Sequence, residues 1–238
     1  MSAPSPGLLA SVADLHEMEL ARQGGADIVD LKQPAYGALG AWSSPALTAA
    51  VMLWDSWGPA RPALSATVGD QPMVPALLLS AAERIATTGV PLVKVGLFAS
   101  EHVGACIEAL APLATRRRLI AVLFADQNPD FGLLAPLGAA GFAGAMIDTA
   151  DKAGGPLTRH LDPLTLSQFT AEARRHGLMT GLAGSLTLDD IGPLAGAGAD
   201  YLGFRGALCE GGRTGRFDPA RLAAVRERLT TAAGSLRG

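Results

Sequence analysis

The stretch RLIAVLFA, Arg118 to Ala125, decides the fold. Its apolar residues follow one another without polar alternation, and the run is too short for an ordinary amphipathic helix. A strand of this kind is buried on both faces, as in a parallel sheet covered by helices. ADIVDL (26–31) and GAMID (144–148) read the same way. Working outward, the expected strands are Leu8–Val12, Ala26–Lys32, Leu64–Gly69, Leu92–Leu97, Leu119–Ala125, Ala145–Thr149, Met179–Gly184 and Tyr201–Gly206. Between them lie helical patterns at Leu15–Gln23, Pro45–Trp54, Pro75–Thr87, His102–Ala114, Leu133–Ala140, Pro163–His176, Leu188–Ala195 and Pro219–Thr231. Asp162-Pro163 and Asp218-Pro219 set a capping carboxylate before a first-turn proline. Gly24 and Gly177 close the helices before them.

Eight strand–helix units in 238 residues predict an α/β chain forming a single-domain (β/α)8 TIM barrel over residues 1–238, since such barrels take about 250 residues. A doubly wound open sheet is the competing arrangement. It usually carries a glycine-rich phosphate fingerprint after its first strand, and SVADLHEME has none. No linker or domain boundary is visible.

Composition narrows the function. Hydrophobic residues are 49% and charged ones 17%, enough for a sizeable core and far from a disordered chain. A net charge of −3 and 5% aromatics argue against nucleic-acid partners. The start of the chain lacks the basic region of a secretory signal. The uncharged Gln33–Trp54 stretch is broken by prolines and glycines, so no membrane association is expected. Cys106 and Cys209 form neither a disulfide framework nor a zinc spacing, which fits a reducing, cytoplasmic setting. His16, His102, His160 and His176 lack metal spacing, so no metal and no cofactor are expected. Trp42, Trp54 and Trp57 are packing residues with room for a homo-oligomer contact.

Sixteen of the basic residues are Arg and three are Lys: Lys32, Lys94 and Lys152. Each stands at or just past a strand end, where barrels place their chemistry. Asp30 shares a strand face with Lys32, and burial under helices would be costly for both, so the lumen mouth is their expected place. Lys94, Asp148 and Arg205 lie late in strands four, six and eight, and Lys152 follows Asp148 by four residues. Alternate strands share a layer in this fold, so these groups are expected to converge. A lysine can lose its proton and attack a carbonyl, which arginine cannot. Neighbouring ammonium groups and desolvation both favour the neutral amine. Schiff-base carbonyl chemistry with proton shuttling is therefore the expectation. The alternative for the lysines is simple phosphate binding.

Loops after strands seven and eight commonly hold phosphate on backbone N–H groups. Gly184, Ser185, Arg205 and Gly206 are the candidates, with Gly211, Gly212 and Arg213 of CEGGRTGR as a flexible basic cover. A small phosphosugar is the expected partner.

GGADIVDLKQP, GALGA, SATVGD, VKVGL, IDTADK, LAGS and RGALCEGGRTGR, in that order, resemble the (5-formylfuran-3-yl)methyl phosphate synthase family. The resemblance implies a class I aldolase-like barrel. It also implies an activity that condenses two molecules of glyceraldehyde 3-phosphate into a phosphorylated furan aldehyde, a precursor of methanofuran. By resemblance, Lys32 is the Schiff-base lysine and Lys94 the proton acceptor, with Asp30, Asp148 and Lys152 further polar active-site positions. Asp70 of SATVGD is expected near the mouth. A class I aldolase or phosphosugar isomerase would also use Lys32 and the phosphate loops. A non-catalytic phosphosugar-binding barrel would use the lysines for affinity alone.

Overall fold

A computed structural model describes residues 5–235. Eight parallel strands close into one barrel in sequence order: β1 (Gly7–Val12), β2 (Ile28–Leu31), β3 (Ala63–Thr67), β4 (Leu92–Gly96), β5 (Arg118–Phe124), β6 (Gly144–Asp148), β7 (Met179–Leu182) and β8 (Tyr201–Phe204). Around them run α1 (Leu15–Gln23), α2 (Ser44–Ser56), α3 (Pro75–Ala86), α4 (Val103–Ala114), α5 (Leu134–Ala139), α6 (Leu157–His160), α7 (Pro163–Arg175), α8 (Ile191–Ala195) and α9 (Pro219–Ser235). The expected elements are all present, with ends moved by at most four residues, the largest shift being the last helix, which runs on to Ser235.

Local chemistry explains the helix starts. Asp14 Oδ1 accepts from Glu17 N at 2.8 Å, and Asp162 Oδ1 accepts from Thr165 N at 2.8 Å. Each satisfies a first-turn N–H that the helix leaves unpaired. Prolines open the first turns of α2, α3 and α7, where the missing N–H costs nothing.

Burial has two layers. One apolar cluster fills the space between strands and helices, including Leu8, Val29, Leu64, Val93, Ala121 and Ile147. A smaller one fills the lumen, with Leu9, Ile28, Leu92, Ile120, Phe124 and Met146. Odd and even positions of one strand thus face different apolar surroundings, which is why the runs show no polar alternation. The lumen parity places Ile28, Asp30 and Lys32 on the inner side.

The loop after β8 differs from a simple flexible cover. It forms a small hairpin in which β9 (Cys209–Glu210) pairs antiparallel with β10 (Arg216–Phe217). The tryptophans are engaged within the chain. Trp42 is buried in the outer core. Trp54 donates its indole N–H to Pro62 O at 2.7 Å and lies under Arg61, while Arg22 covers Trp57. Among the described residues no helix is long and apolar enough to cross a membrane.

Candidate active site

The barrel register builds the site. Ser11, Asp30 and Ser65 are direct neighbours on β1, β2 and β3. Ser11 Oγ donates to Asp30 Oδ2 at 3.0 Å and Ser65 Oγ to Oδ1 at 2.6 Å. Lys94 reaches across from β4, with Nζ 3.0 Å from Asp30 Oδ2. Asp30 is 0% exposed and Lys94 2%. Burial raises the Asp30 carboxyl, but the Lys94 and Lys32 charges and the Ser65 hydrogen bond outweigh it and hold it below the usual carboxylate range.

Lys32 follows β2 directly. Its backbone N–H donates to Val12 O at 3.0 Å, so the chain keeps its strand course for one more residue and the side chain stays in the lumen. Its Nζ lies 3.7 Å from Asp148 Oδ2, outside hydrogen-bond reach. Burial is the largest influence on this amine. Asp148 and Asp30 oppose it, Lys152 and Lys94 reinforce it, and the net effect lowers the Lys32 pKa to about 8.

Asp148 ends β6 on the facing side. Its Oδ1 accepts from Thr149 N at 2.8 Å and from Lys152 Nζ at 2.5 Å. Its buried Oδ2 has no hydrogen-bond partner among the described residues. Burial raises this carboxyl too, and the Lys152 and Lys32 charges overcome it, leaving it strongly depressed. Lys152 is held by Asp148 and the Thr149 carbonyl. Asp30, Lys32, Lys94, Asp148 and Lys152 therefore meet in one mouth.

Above them opens a cavity of about 610 Å³. Its wall carries Lys32, Lys94, Lys152, Arg213 and Arg221 against Asp148 and Asp189. That excess of positive charge favours phosphorylated ligands. Gly184, Ser185, Gly206, Gly212 and Arg213 of the expected phosphate set line it, whereas Gly211 does not. Gly184 has φ +114°, and a Cβ there would stand 2.9 Å from the Thr149 methyl, so glycine is required. Ser185 follows with φ +48°. Among the described residues no acceptor takes the N–H groups of Gly184, Ser185 or Leu186. Successive free N–H groups of this kind form an anion cradle.

Two expectations need correction. Arg205 reaches the cavity wall, but its guanidinium is occupied. It forms a buried pair with Glu17 of α1 and donates to Ser11 O, Arg213 O and Gly215 O. No donor remains for a phosphate, so Arg205 fixes the β9–β10 hairpin and through it Arg213. Asp70 lies near the mouth but off the cavity wall, so it is not placed to bind substrate. It accepts from Ala38 N and Leu39 N, both at 2.8 Å, and so shapes the loop after β2.

Ser11, Ser65, Glu17 and Arg221 escaped the sequence reading. For Ser11 and Ser65 a signal exists, since each is a polar residue on the inner parity beside Asp30. For Glu17 and Arg221 none does. No group of three or more His, Cys, Asp or Glu could hold a metal ion among the described residues.

Residues 8–226 match the family model described as 4-HFC-P synthase. A Methylorubrum extorquens protein that carries the name (5-formylfuran-3-yl)methyl phosphate synthase provisionally is 41% identical over 232 residues, covering 96% of this chain and 94% of that protein. The (5-formylfuran-3-yl)methyl phosphate synthase of Methanopyrus kandleri is 36% identical over 224 residues, covering 89% of this chain and 92% of that one. Among solved structures, phosphoribosyl anthranilate isomerase from Thermus thermophilus superposes with a TM-score of 0.63 at 13% identity, over 94% of this chain and 98% of that one. That last likeness shows the fold alone. The closed barrel with chemistry-bearing side chains at the strand ends defines a TIM-barrel enzyme. More narrowly, the chain belongs to the 4-HFC-P synthase family, a family of synthases.

Proposed function

We propose that this enzyme condenses two molecules of glyceraldehyde 3-phosphate into (5-formylfuran-3-yl)methyl phosphate through a Schiff base on Lys32, in a route to a methanofuran-type carrier. The family supports the reaction, and one observation carries the mechanism: a buried lysine amine without a hydrogen bond and with a pKa of about 8. About a tenth of such an amine is neutral at pH 7, against a few parts in ten thousand for an ordinary lysine. Only the neutral form attacks a carbonyl.

The Lys94–Asp30 pair moves a proton between carbons to turn one triose phosphate into its ketone. Lys32 adds to that ketone, and loss of water gives an iminium. Removal of an α-proton gives the enamine, whose carbon attacks the aldehyde of the second triose. Asp148 Oδ2, facing Lys32, stays ionised and stabilises the positive charge that builds on the iminium nitrogen. Water then hydrolyses the adduct and frees the Lys32 amine; net of that water, one phosphate and two waters leave, and the furan keeps the other phosphate. The N–H groups of Gly184 to Leu186 hold one phosphate, and Arg213 faces the other.

The test incubates the protein with glyceraldehyde 3-phosphate, identifies products by mass spectrometry and assays inorganic phosphate. A furan aldehyde phosphate with one phosphate released per product supports the reading. Dihydroxyacetone phosphate or a hexose bisphosphate without phosphate release replaces it with an isomerase or aldolase. Absence of turnover points to a binding barrel.

A further inference from the structure

The loop between β2 and α2 folds back over the barrel. Leu39 is 0% exposed and Ala38 5%, and both belong to the lumen cluster with Phe124. A Cβ on Gly96 would stand 2.8 Å from Leu39 Cδ1. Gly96 lies two residues beyond Lys94 on the same face of β4, so Leu39 sits one layer above the Lys94–Asp30 pair.

Bonds at the loop's neck and at its tip hold the apolar tip in that place. Its neck is tight: Gln33 N donates to Gly40 O at 2.8 Å, and Thr67 Oγ1 donates to the same carbonyl at 3.0 Å. Its tip is gripped by Asp70 at the end of the next strand, whose two carboxylate oxygens each take one N–H, from Ala38 and Leu39. Gly37 has φ +100°, and a Cβ there would stand 2.1 Å from Asp70 Oδ2, so the backbone approaches the carboxylate as only glycine permits. Arg213 donates to Gly37 O at 2.8 Å from the opposite rim.

We propose that Asp70 is a positioning residue for the lysine cluster: it clamps the 37–40 loop so that Leu39 stoppers the β2–β5 side of the mouth and excludes water there. The cavity is then left open over β6, β7, β8 and β1, where the free N–H groups lie. The clamp acts on the lysines through hydration, the largest influence on Lys32. The charged groups facing Lys32 are Asp148, Lys152, Lys94 and Asp30. Asp70 is not among them.

The sign of the effect separates a clamp from a charge. Deleting a carboxylate by electrostatics alone lowers a lysine pKa or leaves it alone. Loosening a stopper admits water and raises it. The chain has three lysines, so their ¹³Cε resonances can be followed by NMR in the whole protein without substrate. This readout is independent of turnover, so it holds or fails separately from the synthase reading. Wild type should titrate at Lys32 near pH 8, and Asp70→Ala and Leu39→Ala should each move that titration up by one pH unit or more. Asp70→Asn, which keeps one acceptor, should fall between. The Ala38 and Leu39 amides should exchange faster in Asp70→Ala. Folded Asp70→Ala and Leu39→Ala proteins whose Lys32 titration stays within a few tenths of wild type, or falls, would overturn the proposal.

Discussion

Lys32 Nζ stands 3.7 Å from Asp148 Oδ2, while Lys94 Nζ stands 3.0 Å from Asp30 Oδ2. The difference divides the work. Lys94 is committed to a hydrogen-bonded pair whose carboxylate is also held by Ser11 and Ser65. Lys32 faces a carboxylate oxygen that has no hydrogen bond among the described residues. In the proposed mechanism Lys94 moves protons and Lys32 bonds carbon.

Borohydride should therefore trap a triose phosphate adduct on Lys32 alone, read by peptide mass spectrometry. Lys32→Arg should keep the fold and lose the adduct, with turnover down by more than about 10⁴-fold, as for loss of a nucleophile. A folded, active Lys32→Arg enzyme would sink the Schiff-base reading.

The pH dependence follows from Lys32. Its neutral form grows as pH rises, so kcat/KM should climb about tenfold per pH unit below about 8 and level above it. Folding couples to the same group. The native pKa lies below the ordinary lysine value of 10.5, so between pH 8 and 10.5 the unfolded chain binds more protons. The contribution to stability therefore rises with pH across that window, by about 3 kcal/mol. Urea titrations at pH 8 and 10.5, compared between wild type and Lys32→Met, isolate it.

Lys94→Met leaves Asp30 buried without its cation. Removing one partner of a buried pair costs about 3–5 kcal/mol. Adding Asp30→Asn to Lys94→Met should recover much of that stability without recovering turnover, which should stay about 10²- to 10⁴-fold down. Chemical denaturation beside steady-state kinetics separates the two effects.

Glu17→Gln and Arg205→Met test the hairpin anchor. Each breaks the Glu17–Arg205 pair on which the β9–β10 loop hangs. Stability should fall by about 3–5 kcal/mol. KM should rise more than kcat falls, because Arg213 loses its support while Lys32 and Lys94 stay in place. A large fall in kcat at unchanged KM would assign Arg205 to the chemistry instead.

The chain's local patterns determined the fold. Runs such as RLIAVLFA and GAMID suit doubly buried strands, and the capped helices between them set the eight-fold count. The same patterns put lysines and aspartates at strand ends, because parity and position along a strand are local properties. Short features were harder to read. The two-residue strands β9 and β10 and the four-residue α6 carry too few residues for a period to register.

Only the tertiary structure decided what the side chains do there. Glu17 meets Arg205 across 188 positions of chain, and Asp70 meets Ala38 across 32. No local pattern announces such a meeting, so an arginine expected on phosphate became a structural anchor and a mouth carboxylate became a loop clamp. The depressed pKa of Lys32 has the same origin. Desolvation and the field of four charges are produced by closing the barrel, and they exist only once distant strands bring those groups into one dry space.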